Sequence, residues 1–125
     1  MTKQSVEQVQ ELHRKNWGHE RWIVNKPEYC GKILHFREST QCSIHYHNEK
    51  DETFYLLSGK LKIRYSDQDF KRESYSDGVE YRILYPGETF HVYPGLRHEI
   101  YAYEDSDLLE ISTFHKEEDS IRLKG

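Results

Sequence analysis

His45-Tyr46-His47-Asn48-Glu49-Lys50-Asp51-Glu52, followed by Thr53-Phe54-Tyr55-Leu56-Leu57-Ser58-Gly59, is the stretch that decides how this chain reads. Residues two apart on a strand point to the same face, so His45 and His47 present two imidazoles side by side. Glu52 follows after a four-residue turn and can return a carboxylate to them from the next strand. A third imidazole, His98, stands beyond Pro94-Gly95. Two histidines at strand spacing are, alone, more often a polar outer face. Adding a carboxylate and a third imidazole at turn-bounded positions makes a mixed nitrogen and oxygen set suited to one divalent ion (Mn, Zn, Fe, Co or Ni). Neutral imidazole is the ligating form.

Outward from this stretch the chain is a succession of short segments rich in Val, Ile, Phe and Tyr, at 22–25, 32–37, 42–46, 53–57, 60–65, 79–85, 89–93, 99–103 and 108–113. Turn chemistry separates them: Ser58-Gly59, Asp77-Gly78, Pro86-Gly87, Pro94-Gly95 and Glu104-Asp105-Ser106-Asp107. Such regular spacing predicts an all-β sandwich or barrel. Ile121-Arg122-Leu123 reads as a last short strand, and residues 66–78, being polar, as a long exposed hairpin loop. Residues 4–15 read as a short amphipathic helix, with Ser5 and Gln8 at capping-box spacing and Val6, Val9 and Leu12 on one face. No repeat or linker divides residues 1–125, so a single domain is expected, with residues 1–18 as the helix and its lead-in.

Composition narrows the function classes. Eighteen Lys and Arg against 22 Asp and Glu give a net charge of −4, which argues against a nucleic-acid footprint. No apolar run approaches the ~18 residues of a membrane span, and the polar first residues do not read as a signal peptide. Cys30 and Cys42 have no metal-site or disulfide-framework spacing and read as buried thiols of a cytoplasmic protein. Ten Tyr, many on alternate strand positions, together with the edges of an open β fold, suggest a homodimer. No phosphate-binding glycine loop, nucleophile elbow or dinucleotide fingerprint occurs.

The run His45-x-His47-x4-Glu52-x6-Gly59 resembles the first cupin motif, and Gly87-x5-Tyr93-Pro94-Gly95-x2-His98 resembles the second. Both motifs lie within residues 39–102, with Ser39 where the first usually opens with Gly, Tyr93 replacing a common Pro, and Ala102 where the second often ends in Asn. The resemblance implies a cupin double-stranded β-helix (jelly-roll) barrel, with the ion inside it held by His45, His47, Glu52 and His98. Trp17-Gly18, Ser43–His47, Leu109-Glu110-Ile111-Ser112 and Glu118-Asp119-Ser120-Ile121-Arg122 are further similar to small mannose-6-phosphate isomerase-like cupins. That likeness implies aldose–ketose isomerisation of a sugar or sugar phosphate. A non-haem Fe(II) dioxygenase and a sugar-binding or regulatory cupin without catalysis are the alternatives.

Strand parity supplies the remaining candidates. Glu110, a carboxylate in the apolar run 108–111, and His91 are candidate bases. Phe54 shares the parity of Glu52 and is expected at the pocket, with Tyr65 and Tyr93 as further lining residues. Arg97, beside His98, is a candidate for a phosphate or carboxylate.

Overall fold

A computed structural model describes residues 2–9, 11–73 and 78–123. Its strands are β1 (Leu12–Lys15), β2 (Gly18–Asn25), β3 (Cys30–Phe36), β4 (His45–His47), β5 (Glu52–Ser58), β6 (Leu61–Ser66), β7 (Glu80–Leu84), β8 (Thr89–Val92), β9 (Arg97–Ala102), β10 (Ser106–Ser112) and β11 (Ser120–Arg122). They form two antiparallel sheets, in the orders β1-β2-β3-β10-β5-β8 and β11-β4-β9-β6-β7. The crossovers between sheets are those of a jelly roll. The inner faces meet in a core that includes Phe36, Phe54, Leu56, Leu61, Ile63, Ile100 and Leu108. Alternation sets it: β3 and β10 bury every second residue.

All the strands expected from the sequence form, with ends shifted by a few residues. The loop glycine after β5 is required by geometry. Gly59 has φ 95°, and a Cβ there would collide with the Asp105 carbonyl and Ser106. Ser39, where a glycine is usual, adopts the same left-handed region at φ 63°.

Two expectations are corrected. The N-terminal helix is absent: residues 2–9 have no regular structure, Gln10 lies outside the described residues, and Leu12–Lys15 is a strand paired with β2. A helix this short does not hold itself together in water, and its apolar stripe finds no surface to cover, since Val6 is fully exposed. The residues nearest the barrel instead form a hairpin around Asn16-Trp17, in which Trp17 stacks on Phe36 at 4.2 Å and His13 on Trp22 at 4.2 Å.

The connection between β6 and β7 is the second. Residues 74–77 fall outside the described set, but the part before them is not all exposed. Phe70 is buried under the Arg64 guanidinium at 5.3 Å, and Arg64 donates to the carbonyls of Arg72 and Lys71. Cys30 and Cys42 are buried free thiols. Among the described residues no helix is long and apolar enough to cross a membrane.

Candidate metal centre

The two sheets bring the candidate ligands together from opposite walls. His45 on β4 is in register with His98 on β9, their rings 4.2 Å apart, and His47 stands two residues along β4. Glu52 opens β5 on the facing sheet, one step from Ser112 on β10, while Glu110 on β10 is flanked by Phe54 and by Lys32 of β3. Glu52 Oε1 lies 3.9 Å from His47 Nε2, and Glu52 Oε2 lies 3.8 Å from His98 Nε2. These side chains line a cavity of about 90 Å³, whose rim includes Lys15, Trp17, Glu117 and Arg122.

Hydrogen bonds fix which ring nitrogens are free. Carbonyl oxygens only accept, so His45 Nδ1 donates to the Ser43 carbonyl at 2.8 Å and His98 Nδ1 to the Leu96 carbonyl at 2.9 Å. Each ring thus turns an Nε2 lone pair toward the cavity. Burial pushes the imidazoles down, His45 and His47 to about 3 and His98 to about 4, so all three are neutral near pH 7. His47 Nδ1 and Glu52 Oε2 are buried without a hydrogen-bond partner. Leaving such groups unpaired costs roughly 1–3 kcal/mol each. The free Nε2 lone pairs of His45 and His98, with the His47 ring and Glu52 once it gives up its proton, make a donor set that fits a divalent cation.

As the side chains stand, no group of three or more ligating residues among those described is arranged to hold an ion. An ammonium the sequence reading missed stands among these side chains. Lys50, 2% exposed, donates to Glu110 Oε2 at 2.7 Å, to Glu52 Oε1 at 3.2 Å and to His115 Nδ1 at 3.0 Å. It sits in the turn between β4 and β5, which sequence composition marks as solvent-facing. That turn is drawn inward by Asp119: its buried carboxylate accepts the backbone N–H groups of Asn48, Glu49 and Lys50, each at 3.0 Å. Lys50 thereby holds Glu52 by Oε1 and leaves Oε2 toward His98.

The two carboxylates differ in state. Burial first, and then the neighbouring Glu110 charge, push Glu52 up to about 8. Burial acts on Glu110 in the same sense, but Lys50 and Lys32 outweigh it and hold Glu110 well below the carboxylate range. Ser112 Oγ also donates to Glu110 Oε2 at 2.8 Å.

Of the sequence candidates, His45, His47, Glu52, His98, Phe54 and Glu110 meet in this cavity. The other four do not. His91 is on the outer side of β8, bound to Asp51 at 2.6 Å, because it alternates with the inward Phe90 and Val92. Tyr93 is exposed and donates to Asp67. Tyr65 packs on Phe90 at 5.2 Å, away from the cavity. Arg97 binds Asp69 and the Gly95 carbonyl, each at 2.8 Å, and covers Tyr46. Lys32 and His115 were missed along with Lys50. Parity could have found Lys32, which alternates inward with Cys30, Leu34 and Phe36.

A family model described as Cupin matches residues 15–123. KdgF from Halomonas sp. is similar in structure, with 17% identity and a TM-score of 0.70 over 87% of this chain and 90% of that one. Oxalate decarboxylase from Bacillus subtilis at pH 4.6 is similar at 16% identity and a TM-score of 0.76, over 90% of this chain and 30% of that one. The capsular polysaccharide assembling protein CapF from Staphylococcus aureus is similar at 19% identity and a TM-score of 0.71, over 92% of this chain and 32% of that one. The chain therefore spans about a third of the length of the last two. Such identities speak to the fold alone. No protein of curated function matches the sequence.

Proposed function

The chain belongs to the cupin family, and from that premise we propose that it is a metal-dependent isomerase interconverting the aldose and ketose forms of a sugar or sugar phosphate. His45, His47, Glu52 and His98 would hold the ion. The neutral, unpaired imidazole nitrogens and the orphaned Glu52 Oε2 support that assignment. Bacillus subtilis oxalate decarboxylase, similar in fold, has Mn(II) centers. A divalent ion there supplies Lewis-acid polarisation of a carbonyl and its neighbouring hydroxyl.

The observation that carries the isomerase reading is Glu110, an ionised carboxylate buried in the same cavity as the donor set. Its role is to take the proton from the carbon beside the sugar carbonyl and return it to the former carbonyl carbon, while the neighbouring hydroxyl's proton passes to the former carbonyl oxygen, so that no atom is gained or lost. Lys50 keeps that carboxylate ionised and in place, and Phe54 and Trp17 wall the cavity against water. Replacing Glu110 by Gln is expected to lower kcat by roughly 10²–10⁴ while bound metal is retained. The metal-loaded protein is also expected to exchange the sugar's C2 proton with deuterated water. Absence of both ketose and exchange across a panel of aldoses and their phosphates would overturn this reading.

One observation favours a second reading, ligand binding without turnover. The lysines that keep Glu110 ionised also make it a weak base. In that case the panel shows binding with an unchanged aldose-to-ketose ratio.

A further inference from the structure

Among the described residues, Lys32 is a fully buried cation of the cavity wall with no hydrogen-bond acceptor for its ammonium. It is carried inward on β3, is 1% exposed, and lines the cavity wall. Its one ion pair, to Glu20 Oε1, spans 3.6 Å, longer than a hydrogen bond. The Trp22 ring centroid lies 4.0 Å from the ammonium and offers no acceptor atom, its own Nε1–H donating to Glu20 Oε1 at 2.9 Å. Lys50 makes the contrast: its ammonium is matched to acceptors on Glu52, Glu110 and His115, so it has no donor left for a ligand.

Burying an ammonium without acceptors is costly, and packing against Trp22 and Leu34 would be served better by Met or Leu. A lysine in this position earns its place when something in the cavity accepts from it. The lining also has four cationic and four anionic side chains, not counting histidine. A resident divalent ion would therefore make the cavity net positive by its own charge.

We propose that Lys32 is the anion-binding contact of the site, selecting a small molecule that bears a carboxylate or phosphate group beside the oxygens offered to the histidine cluster. The inference rests on the proposed function for the presence of a sugar-like ligand, and deepens it by naming the anionic class. In the register of the sheet Lys32 stands directly beside Glu110, so an anion held there places the rest of the ligand along the carboxylate and not out in solvent.

The test is calorimetric titration of the metal-loaded full chain and its Lys32→Met variant with four probes: mannose, mannose 6-phosphate, glucose and glucuronate. Wild type is expected to bind at least one of the two anionic probes tenfold or more tightly than its neutral counterpart. The phosphate and carboxylate arms identify which anion is preferred. Lys32→Met is expected to erase that preference, so that charged and neutral probes bind alike, while one metal ion per chain is retained. Should the Met variant not fold, Lys32→Gln serves in its place, with the same outcome expected. Equal binding of charged and neutral probes by wild type, no binding of either anionic probe, or an anionic preference that survives in the variants would overturn the proposal. A Lys32-dependent preference without ketose formation would leave this inference standing and remove the isomerase. Ketose formation by a wild type that binds charged and neutral probes alike would do the reverse.

Discussion

At the scale of single residues, the site is a contest between burial and pairing. His47 and His98 are neutral when folded because burial disfavours the imidazolium, whereas in the unfolded chain they titrate near their ordinary 6.5. The unfolded chain therefore binds the extra protons, and the stability these two residues confer is present above that value and lost as pH falls toward about 4. Glu52 has the opposite sign: raised to about 8, it favours the folded state at low pH and loses that contribution as pH rises from its ordinary 4.5 to 8. The metal-free protein is expected to be most stable near pH 6.5, with each histidine alone contributing a slope of up to roughly 1.4 kcal/mol per pH unit on the acid side. Urea unfolding in chelator at pH 5, 6.5 and 8 checks this. A stability that climbs steadily from pH 5 to 8 would contradict it. The same residues show what the sequence could tell. That His45, His47, Glu52 and His98 share one cavity was legible from their turn-bounded spacings; the Lys50 contacts depend on a turn held by a carboxylate about seventy residues away, which no local pattern carries.

At the scale of elements, that carboxylate is the structural key to the turn. Asp119 comes from the short 3-10 turn Glu117–Asp119 before β11, and β11 pairs with β4 so that Ser120 meets His47. The closing strand thus fastens the strand that carries two of the histidines, and the Asp119 clamp sets the depth of Lys50. Asp119→Asn removes the charge and half of the accepting capacity. It is expected to cost about 2–4 kcal/mol, given roughly 1.5–3 kcal/mol for a hydrogen bond to a charged group, and to weaken metal binding with it. Thermal unfolding and a metal titration of the variant measure both effects. An unchanged unfolding midpoint would mean that the clamp does not hold the turn. Strands were legible because β-branched and aromatic runs between Gly and Pro turns have few other outcomes. The helix expected over 4–15 failed for a tertiary reason. Three apolar residues at helical spacing specify a helix only where a surface receives them, and here Leu12 is recruited into a strand opposite Arg21.

For the whole molecule, the fold is a device for bringing imidazoles from one sheet against carboxylates from the other, across a core that excludes water. Phe54 and Ile100 close the cavity from the core side, and Trp17, stacked on Phe36, closes it near the rim. The four residues outside the cavity show the limit of parity as a guide. Alternation assigned His91 and Tyr93 to the same side of their strand, yet which side faces the barrel depends on how the two sheets stack. Glu110 shows its strength, because a carboxylate within an apolar strand did mark the cavity. The proposed chemistry requires that His45, His47, Glu52 and His98 form a single ion site. Elemental analysis of the purified protein and of His47→Ala, after equilibration with one divalent metal and removal of excess, tests it most directly. One ion per chain is expected in the wild type and a substoichiometric residue in the variant, which remains folded. Full metal retention by His47→Ala, or no bound metal in the wild type, would contradict it.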